Sequence, residues 1–462
     1  MKIAVINGSP KGKYSITLQS ILYLQKLFPK QDFKILHVGQ KIKSLEKDFS
    51  EAKDILENAE AIIFSYPVYT FLAPSQLHRF IELIKIHKIN LEGKFATQIS
   101  TSKHFYDVTA HKYIEENSLD FGMKYIPGLS ADMEDLLSEK GQNDLNHFFT
   151  RFLWATKENI FTVPKSKQEM PKLTNIKNSP TEDDVKKSLE TKDSSKDLVI
   201  ITDSTDKNSN LYKMILYFQS ICEYKTRIVN ISEYQLSGGC LGCFRCAVSE
   251  KCVYKDGFDS FLRNNIQNAD SIVYAFTISD HSMGSRFKMY DDRNFCNGHR
   301  TVTVGMPIGY LISGNYEVEN NLKTVIEARA DTGGNFLCGV ATDEMSKHIS
   351  TEEKIENLWK TLSFALKTKH TNPQSFWGVG GMKIFRDLIY QMRGMMRADH
   401  RFYKKQGIYD FPQKKWFTSL KIYFVGALLS NEKIISKMGN AMNEGMLAPY
   451  KKMFEKMDKE KK

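Results

Sequence analysis

Asn7-Gly8-Ser9-Pro10-Lys11-Gly12-Lys13-Tyr14-Ser15-Ile16-Thr17 is the turn that leaves a short apolar run, Lys2–Ile6, and enters a stretch with helical spacing, Ser15–Leu27. A strand, a Gly/Ser-rich turn and a helix in that order gather backbone N–H groups and hydroxyls at one point. The positive end of the helix dipole stands behind them. Such a turn suits a phosphate monoester. Ser9, Ser15 and Thr17 are the candidate hydroxyl donors, and Lys11 adds charge. A P-loop needs four residues between its first glycine and Gly-Lys-Ser/Thr. Here three separate Gly8 from Gly12, Tyr14 follows the lysine, and no G-x-G-x-x-G stands after the strand.

The alternation continues outward from this turn. Short β-branched runs at Lys2–Ile6, Phe33–Val38, Ala61–Tyr66, Phe95–Thr101 and Lys124–Leu129 alternate with helical patterns at Ser15–Leu27, Asp48–Asn58, Pro74–Ile84 and Val108–Leu119. This pitch predicts right-handed βαβ units and a parallel sheet covered on both faces. Five strands fit the flavodoxin-like order 2-1-3-4-5 better than a six-strand dinucleotide fold. The plan then repeats. Leu198–Thr202, Arg227–Ile231, Ser271–Phe276, Thr301–Met306 with Ile308–Ile312, and Asn335–Ala341 read as strands. Helical patterns at Asn210–Ile221, Phe258–Gln267, Ser285–Asp291, Val318–Ala330 and Glu352–Lys367 lie between or after them. The expected fold class is α/β, with two tandem flavodoxin-like doubly wound parallel sheets plus a basic helical C-terminal extension. The expected boundaries are 1–163 for the first domain, 164–196 for a polar linker, 197–370 for the second domain and 371–462 for the extension.

Two more segments leave the strand ends of the first sheet. Ser65-Tyr66-Pro67-Val68-Tyr69-Thr70-Phe71-Leu72-Ala73-Pro74 follows the third strand, across the switch point from the first loop. It offers the aromatic wall and main-chain polar groups that a flat isoalloxazine ring requires. Ser100-Thr101-Ser102-Lys103-His104-Phe105 follows the fourth strand, and its Thr101, Ser102 and Phe105 could meet such a ring from the other side. Together these loops resemble the NADPH-dependent FMN reductase branch of the flavodoxin-like superfamily over most of residues 1–160. The resemblance implies FMN, its phosphate held by Ser9, Lys11, Ser15 and Thr17 and its ring lined by Pro67, Val68 and Tyr69. It also implies an oxidoreductase with NAD(P)H as transient co-substrate and a small-molecule or protein electron acceptor. No protein acid–base pair is required, because the flavin itself accepts the hydride. A flavodoxin-type electron carrier and a non-redox binding scaffold are the alternatives.

The second domain carries Cys240-x2-Cys243-x2-Cys246-x5-Cys252, four of the seven cysteines in one loop. Three thiolates at that pitch can wrap one corner of a cubane, with the fourth closing it. Structural zinc sites usually place two Cys-x2-Cys pairs on separate arms, so zinc suits the run less. The segment is similar to the iron–sulfur flavoproteins, which implies a [4Fe–4S] cluster exchanging electrons with FMN. Five residues precede the last cysteine instead of three, and a Cys-rich structural loop is an equally weighted reading. Cys222, Cys296 and Cys338 fall on or beside core elements and read as buried. The second domain's own first turn, Thr202-Asp203-Ser204-Thr205-Asp206-Lys207-Asn208-Ser209-Asn210, lacks the Gly-Ser-Pro start, and its two aspartates would repel a phosphate. A second FMN is therefore disfavoured.

The composition bounds the rest. An apolar fraction of 41% and a charged fraction of 26% over 462 residues are those of an ordinary globular protein of two or three domains. Net charge +11 suits anionic partners without choosing among them. The N-terminus reads as a strand and Ile422–Leu429 is too short to span a bilayer, so the expectation is no transmembrane segment and a cytoplasmic location. In the tail, Trp377, Phe385, Tyr390 and Met392 interleave with Lys383, Arg386 and Arg393. A helix packed across the two domains is preferred there over a membrane-surface helix or a nucleic-acid patch. Gly378, Gly380 and Gly381 are expected to form a tight turn. No nucleic-acid partner is expected, and a second copy of the chain counts among the candidate partners.

Overall fold

Buried β-branched runs and capped helices assemble into two sheets of one plan. The computed structural model describes residues 1–162, 172–176, 179–430 and 441–460. The first half contains β1 (Lys2–Asn7), α1 (Ile16–Leu27), β2 (Asp32–Leu36), α2 (Val38–Leu45), α3 (Ser50–Asn58), β3 (Ala61–Pro67), α4 (Ser75–Ile86), β4 (Phe95–Ser102), α5 (Asp107–Asp120), β5 (Lys124–Tyr125), β6 (Leu129–Asp132) and α6 (Glu139–Glu158). The second contains α7 (Glu182–Thr191), β7 (Asp193–Thr202), α8 (Asn210–Ile221), β8 (Tyr224–Asn230), α9 (Arg245–Ser249), α10 (Phe258–Asn265), β9 (Ser271–Thr277), α11 (Gly284–Arg293), β10 (Pro307–Ser313), α12 (Asn320–Gly333), β11 (Phe336–Thr342) and α13 (Thr351–Thr368). After these come α14 (Phe376–Gln391), α15 (Arg397–Lys405), α16 (Trp416–Leu429) and α17 (Ala441–Glu460).

The first sheet runs β2-β1-β3-β4-β5, with β6 joining β4, and the second runs β8-β7-β9-β10-β11. Counted within each half, both have the flavodoxin-like order 2-1-3-4-5. All pairings are parallel; Val5, for example, registers with Ile35 on one side and Ile63 on the other. Central strands buried on both faces need continuous apolar runs, which is what β1 and β3 supply. On one face, Leu18, Ile21 and Leu24 of α1 and Phe149 and Phe152 of α6 pack against Ile3, Val5 and Ile63. On the other, Leu56 of α3, Phe80 and Ile84 of α4 and Tyr113 of α5 cover Ala4, Ile6 and Phe64. Val325 and Ala328 of α12 belong to this same buried cluster, so the core of the first half runs into the second. Residues Met1–Phe402 accordingly form one compact unit, and Tyr403–Lys462 another.

Several elements differ from their sequence reading. The run Lys124–Leu129 is split into β5 and β6, because Pro127 has no N–H to pair and Gly128 crosses β4 closely. A Cβ on Gly128 would lie 2.3 Å from the Gln98 carbonyl. Thr301–Met306 is turn, and the fourth strand of the second sheet begins only at Pro307. Residue 163 and, in the stretch 164–196 read as a linker, residues 164–171 and 177–178 lie outside the described residues, but Glu182–Thr191 within that stretch is helical. Thr181 and Asp184 form a capping box at the start of this helix, supplying the local signal that its polar composition obscured.

Gly378, Gly380 and Gly381 form no turn: all three lie inside α14. For Gly378 and Gly381 the reason is proximity. A Cβ on Gly381 would stand 2.7 Å from the Phe105 ring, and one on Gly378 would stand 2.7 Å from the Asp331 carbonyl. Asp331 also accepts from Ser375 N, Ser375 Oγ and Gly378 N, which satisfies the start of the helix. Through these contacts α14 touches both halves. Within residues 403–462, α16 is largely apolar, interrupted by Thr418, Ser419 and Lys421, with Trp416, Phe417, Ile422, Tyr423 and Phe424 exposed. Among the described residues no helix is long and apolar enough to cross a membrane.

At the strand ends of the second sheet, the N-terminus of α8 already faces an anion of the chain itself. Asp343, wholly buried, accepts from Asn210 Nδ2 at 2.7 Å, Ser313 Oγ at 2.6 Å and Gly314 N at 2.9 Å. Replacing it by alanine removes the shared acceptor of the buried Ser313 hydroxyl and two part-buried donors, so Asp343→Ala is expected to cost roughly 1–3 kcal/mol of stability in urea unfolding. An unfolding midpoint equal to the parent's would show that this carboxylate does not hold the strand ends together.

Candidate functional site

The turn after β1 is locked by its own side chains. Asn7 Nδ2 donates to the Gly12 carbonyl at 2.9 Å, and Asn7 Oδ1 accepts from Ser9 N at 3.2 Å. Gly39, at the start of α2, lies so near that a Cβ there would be 2.3 Å from the Gly8 carbonyl. Gly12, at φ +55°, turns the chain toward Ser15, which caps α1 by accepting from Leu18 N. Thr17 Oγ1 meets Thr101 Oγ1 at 2.6 Å and ties the helix start to the end of β4. Ser9, Ser15 and Thr17 are all buried and, with Lys11, converge on one cavity of about 410 Å3. Pro67, Val68, Tyr69, Thr101, Ser102 and Phe105 line the same cavity. So do Cys240, Cys243, Cys246 and Cys252. Every residue singled out from the sequence therefore opens onto one space, of the size and largely apolar lining usual for an organic ligand.

The loop after β3 is strained and held from outside. Thr70 and Phe71 adopt φ of 41° and 72°, and Tyr69 and Leu72 close the turn with hydrogen bonds of 2.8 and 3.0 Å. A β-branched residue in that region persists only where its surroundings impose it. Here α11 of the second half does so. Lys288 Nζ, fully buried, donates to the Tyr69 carbonyl at 3.0 Å and Thr70 Oγ1 at 2.6 Å and forms an ion pair with Asp292. Asp292 in turn accepts from Thr70 Oγ1 and from Ser75 N, both at 2.8 Å.

The cysteine loop lies directly over this wall. A Cβ on Gly242 would fall on the Tyr69 hydroxyl, and Lys11 Nζ sits 5.6 Å from the Phe244 ring centre. Tyr69 is consequently only 9% exposed, covered by the second half and not by its own. Arg293 frames the loop, donating to the Gly238 carbonyl at 2.9 Å and to both Asp256 oxygens. Burial alone would raise the Asp256 carboxyl, but these bonds hold it well below the usual carboxylate range. Burial pushes the thiols the other way. Cys246 is raised to about 11, first by desolvation and then by Asp399, and Cys240 is raised further by desolvation. Cys222, Cys296 and Cys338 are buried, as their positions beside core elements suggested. All seven cysteines are free thiols.

Sequence reasoning missed the residues that the second half and α14 add to the cavity, among them Phe295, Tyr310, Arg329 and Phe385. Tyr310 and Arg329 read only as parts of a strand and a helix, and Phe385 only as part of the aromatic and basic tail, so no local pattern marked them for the cavity. Phe385, for instance, reaches the site by stacking 4.2 Å from Phe105. Only the duplication of the plan hinted that one half would complete the other.

Residues 1–132 match the NADPH-dependent FMN reductase family. An iron-sulfur flavoprotein of Archaeoglobus fulgidus is 22% identical over 189 residues, which are 40% of this chain and 85% of that protein. Among solved structures, an NAD(P)H:quinone oxidoreductase from Methanothermobacter marburgensis is 13% identical with a TM-score of 0.28, over 39% of this chain and all of that one. A flavodoxin from Pseudomonas aeruginosa gives 17% and 0.26, over 34% and 99%. These structural likenesses are too slight to bear on the site.

The buried ion pair under the wall gives a direct test. Lys288→Met leaves Asp292 charged and unpaired and should cost roughly 3–5 kcal/mol of stability. The double variant Lys288→Met/Asp292→Leu should recover much of it, as measured by thermal unfolding. A single variant as stable as the parent would mean that the pair does not secure the loop.

Proposed function

We propose that this chain, FMN-reductase-like over its first 132 residues, is a flavin-dependent oxidoreductase that binds FMN in the shared cavity and passes electrons toward the cysteine loop. The observation that carries this reading is the convergence of Ser9, Ser15 and Thr17, the Tyr69 wall and all four loop cysteines on one cavity. The α1 N-terminus, Ser9, Ser15, Thr17 and Lys11 would hold the phosphate. Pro67, Val68 and Tyr69 would line one side of the ring, with Thr101, Ser102 and Phe105 on the other. FMN, when bound, supplies the hydride-accepting chemistry that takes two electrons from NAD(P)H. The chain's own part is to fix the ring and exclude water. Lys288 and Asp292 immobilise the wall, and Gly242 and Phe244 close it over.

Asp343 fills the corresponding place in the second half, so one FMN per chain is assigned. Cys240, Cys243, Cys246 and Cys252 would hold a [4Fe–4S] cluster, which would supply one-electron chemistry between FMN and a small-molecule or protein acceptor. The donor set is compatible with such a group: four free thiols, of which Cys243 is exposed, line one cavity.

Purified protein should show a flavin spectrum that bleaches on addition of NADPH or NADH, and steady NAD(P)H oxidation separates an enzyme from a carrier. Ser15→Asp keeps a good helix cap yet sets a negative charge against the phosphate. FMN affinity should fall at least about tenfold, or ~1.4 kcal/mol, by fluorescence titration. Equal affinity would remove the phosphate assignment.

Cluster assembly has its own pH signature. A ligating sulfur is a thiolate, and burial holds Cys240 and Cys246 protonated, so each must give up a proton on ligation. Anaerobic reconstitution should therefore go further as pH rises from about 7 to about 9, read as iron and acid-labile sulfide per chain. Iron uptake that is unaffected by replacing the four cysteines with serine would end the cluster reading.

A further inference from the structure

The two halves are related loop by loop, and the counterpart of the flavin wall has been turned to another use. After β9, Ser279 and Ser282 close the same kind of tight turn that Tyr69 and Leu72 close after β3. Its central residues, Asp280 and His281, take φ of 54° and 61°, matching Thr70 and Phe71. This turn packs against α5 of the first half. There His281 Nδ1 lies 3.0 and 3.1 Å from the two Glu319 oxygens, and Nε2 lies 3.0 Å from Asp120 Oδ2. Glu116 joins them: one ligand-type atom each from Glu116, His281 and Glu319 falls within 4.8 Å of the others.

The charges there do not balance among themselves. Three carboxylates, Glu116, Asp120 and Glu319, surround one imidazole. Lys85 lies 3.8 Å from Asp120 and 2.8 Å from Asp280, and Lys112 pairs with Glu115. Glu116 Oε2 is fully shielded from solvent and has no hydrogen-bond partner. A buried carboxylate oxygen without a donor is costly. A divalent cation on the Nδ1 side gives Glu116 and Glu319 a common partner, while Nε2–H keeps its bond to Asp120. A carboxylate behind a ligating histidine is the usual means of fixing the ring and raising its basicity.

We propose that Glu116, His281 and Glu319 form a zinc site that joins the two halves, with Asp120 orienting the His281 ring. One nitrogen and two carboxylate ligands leave a fourth position for water. Glu116 and Asp120 come from α5, whereas His281 and Glu319 come from the second half, so a bound ion would pin that turn to the first half. The proposal is independent of the flavin reading, since none of these residues lines the cavity.

The test uses metal-depleted full-length protein equilibrated with zinc or cobalt(II), with metal counted by mass spectrometry. Because the cysteine loop can also take up these ions, the measurement is the difference between parent and variant. The parent should hold about one equivalent more than His281→Ala or Glu116→Gln, and Asp120→Asn should weaken that equivalent by about 10- to 100-fold. Cobalt in this site should show weak visible bands without thiolate charge-transfer absorption, and zinc should raise the unfolding temperature of the parent but not of His281→Ala. Equal metal content in parent and variants, or a difference spectrum with thiolate bands, would overturn the site. In that case, a proton shared between the carboxylates accounts for the cluster. The Asp120→Asn affinity step and the spectrum are readouts that a purely structural ion pair would not move.

Discussion

The seating of α11 against the loop that follows β3 is the constraint on which the rest turns. A strained turn needs an external hold, and the buried Lys288–Asp292 pair supplies it with bonds to the Tyr69 carbonyl, Thr70 Oγ1 and Ser75 N. A charged pair removed from water is stable only if nearly every polar valence is met, and the loop meets them. Loop and pair are therefore mutually required. Neither half of the molecule contains both.

That dependence accounts for the shape of the cavity. Its floor belongs to the first sheet, where α1 and the strand ends present Ser9, Ser15, Thr17 and Thr101. Its roof belongs to the second half, where Arg293 anchors the cysteine loop that lies against Tyr69 and Lys11. Helix α14 closes a side by placing Phe385 on Phe105, which glycine at 381 permits.

Duplication also left the second set of strand ends with a different task. Where the first half keeps hydroxyls facing a cavity, the second inserts the Asp343 carboxylate between Asn210 and Ser313. Where the first half has an aromatic turn, the second has Asp280 and His281 bonded to Lys85, Asp120 and Glu319. One copy remains a pocket and the other becomes part of the joint between the halves.

Most strands and helices, the duplicated 2-1-3-4-5 plan, and the three first-half loops and the cysteine loop that border the cavity were legible in the sequence. They depend on short-range physics: apolar period, helix caps, and glycine or serine where a turn demands it. The split of β5 from β6 was less legible, because Pro127 and Gly128 act through their proximity to β4. So were the glycines of α14, which read locally as a turn although Gly378 and Gly381 serve as points of close approach to Asp331 and Phe105. Only the tertiary structure decided that the cysteine loop covers the first sheet's wall, that Lys288 and Asp292 hold it, and that His281 meets Glu116. These contacts join residues more than 160 positions apart. No local pattern encodes such a pairing, because the free energy that fixes it comes from apolar surface shared between the two halves.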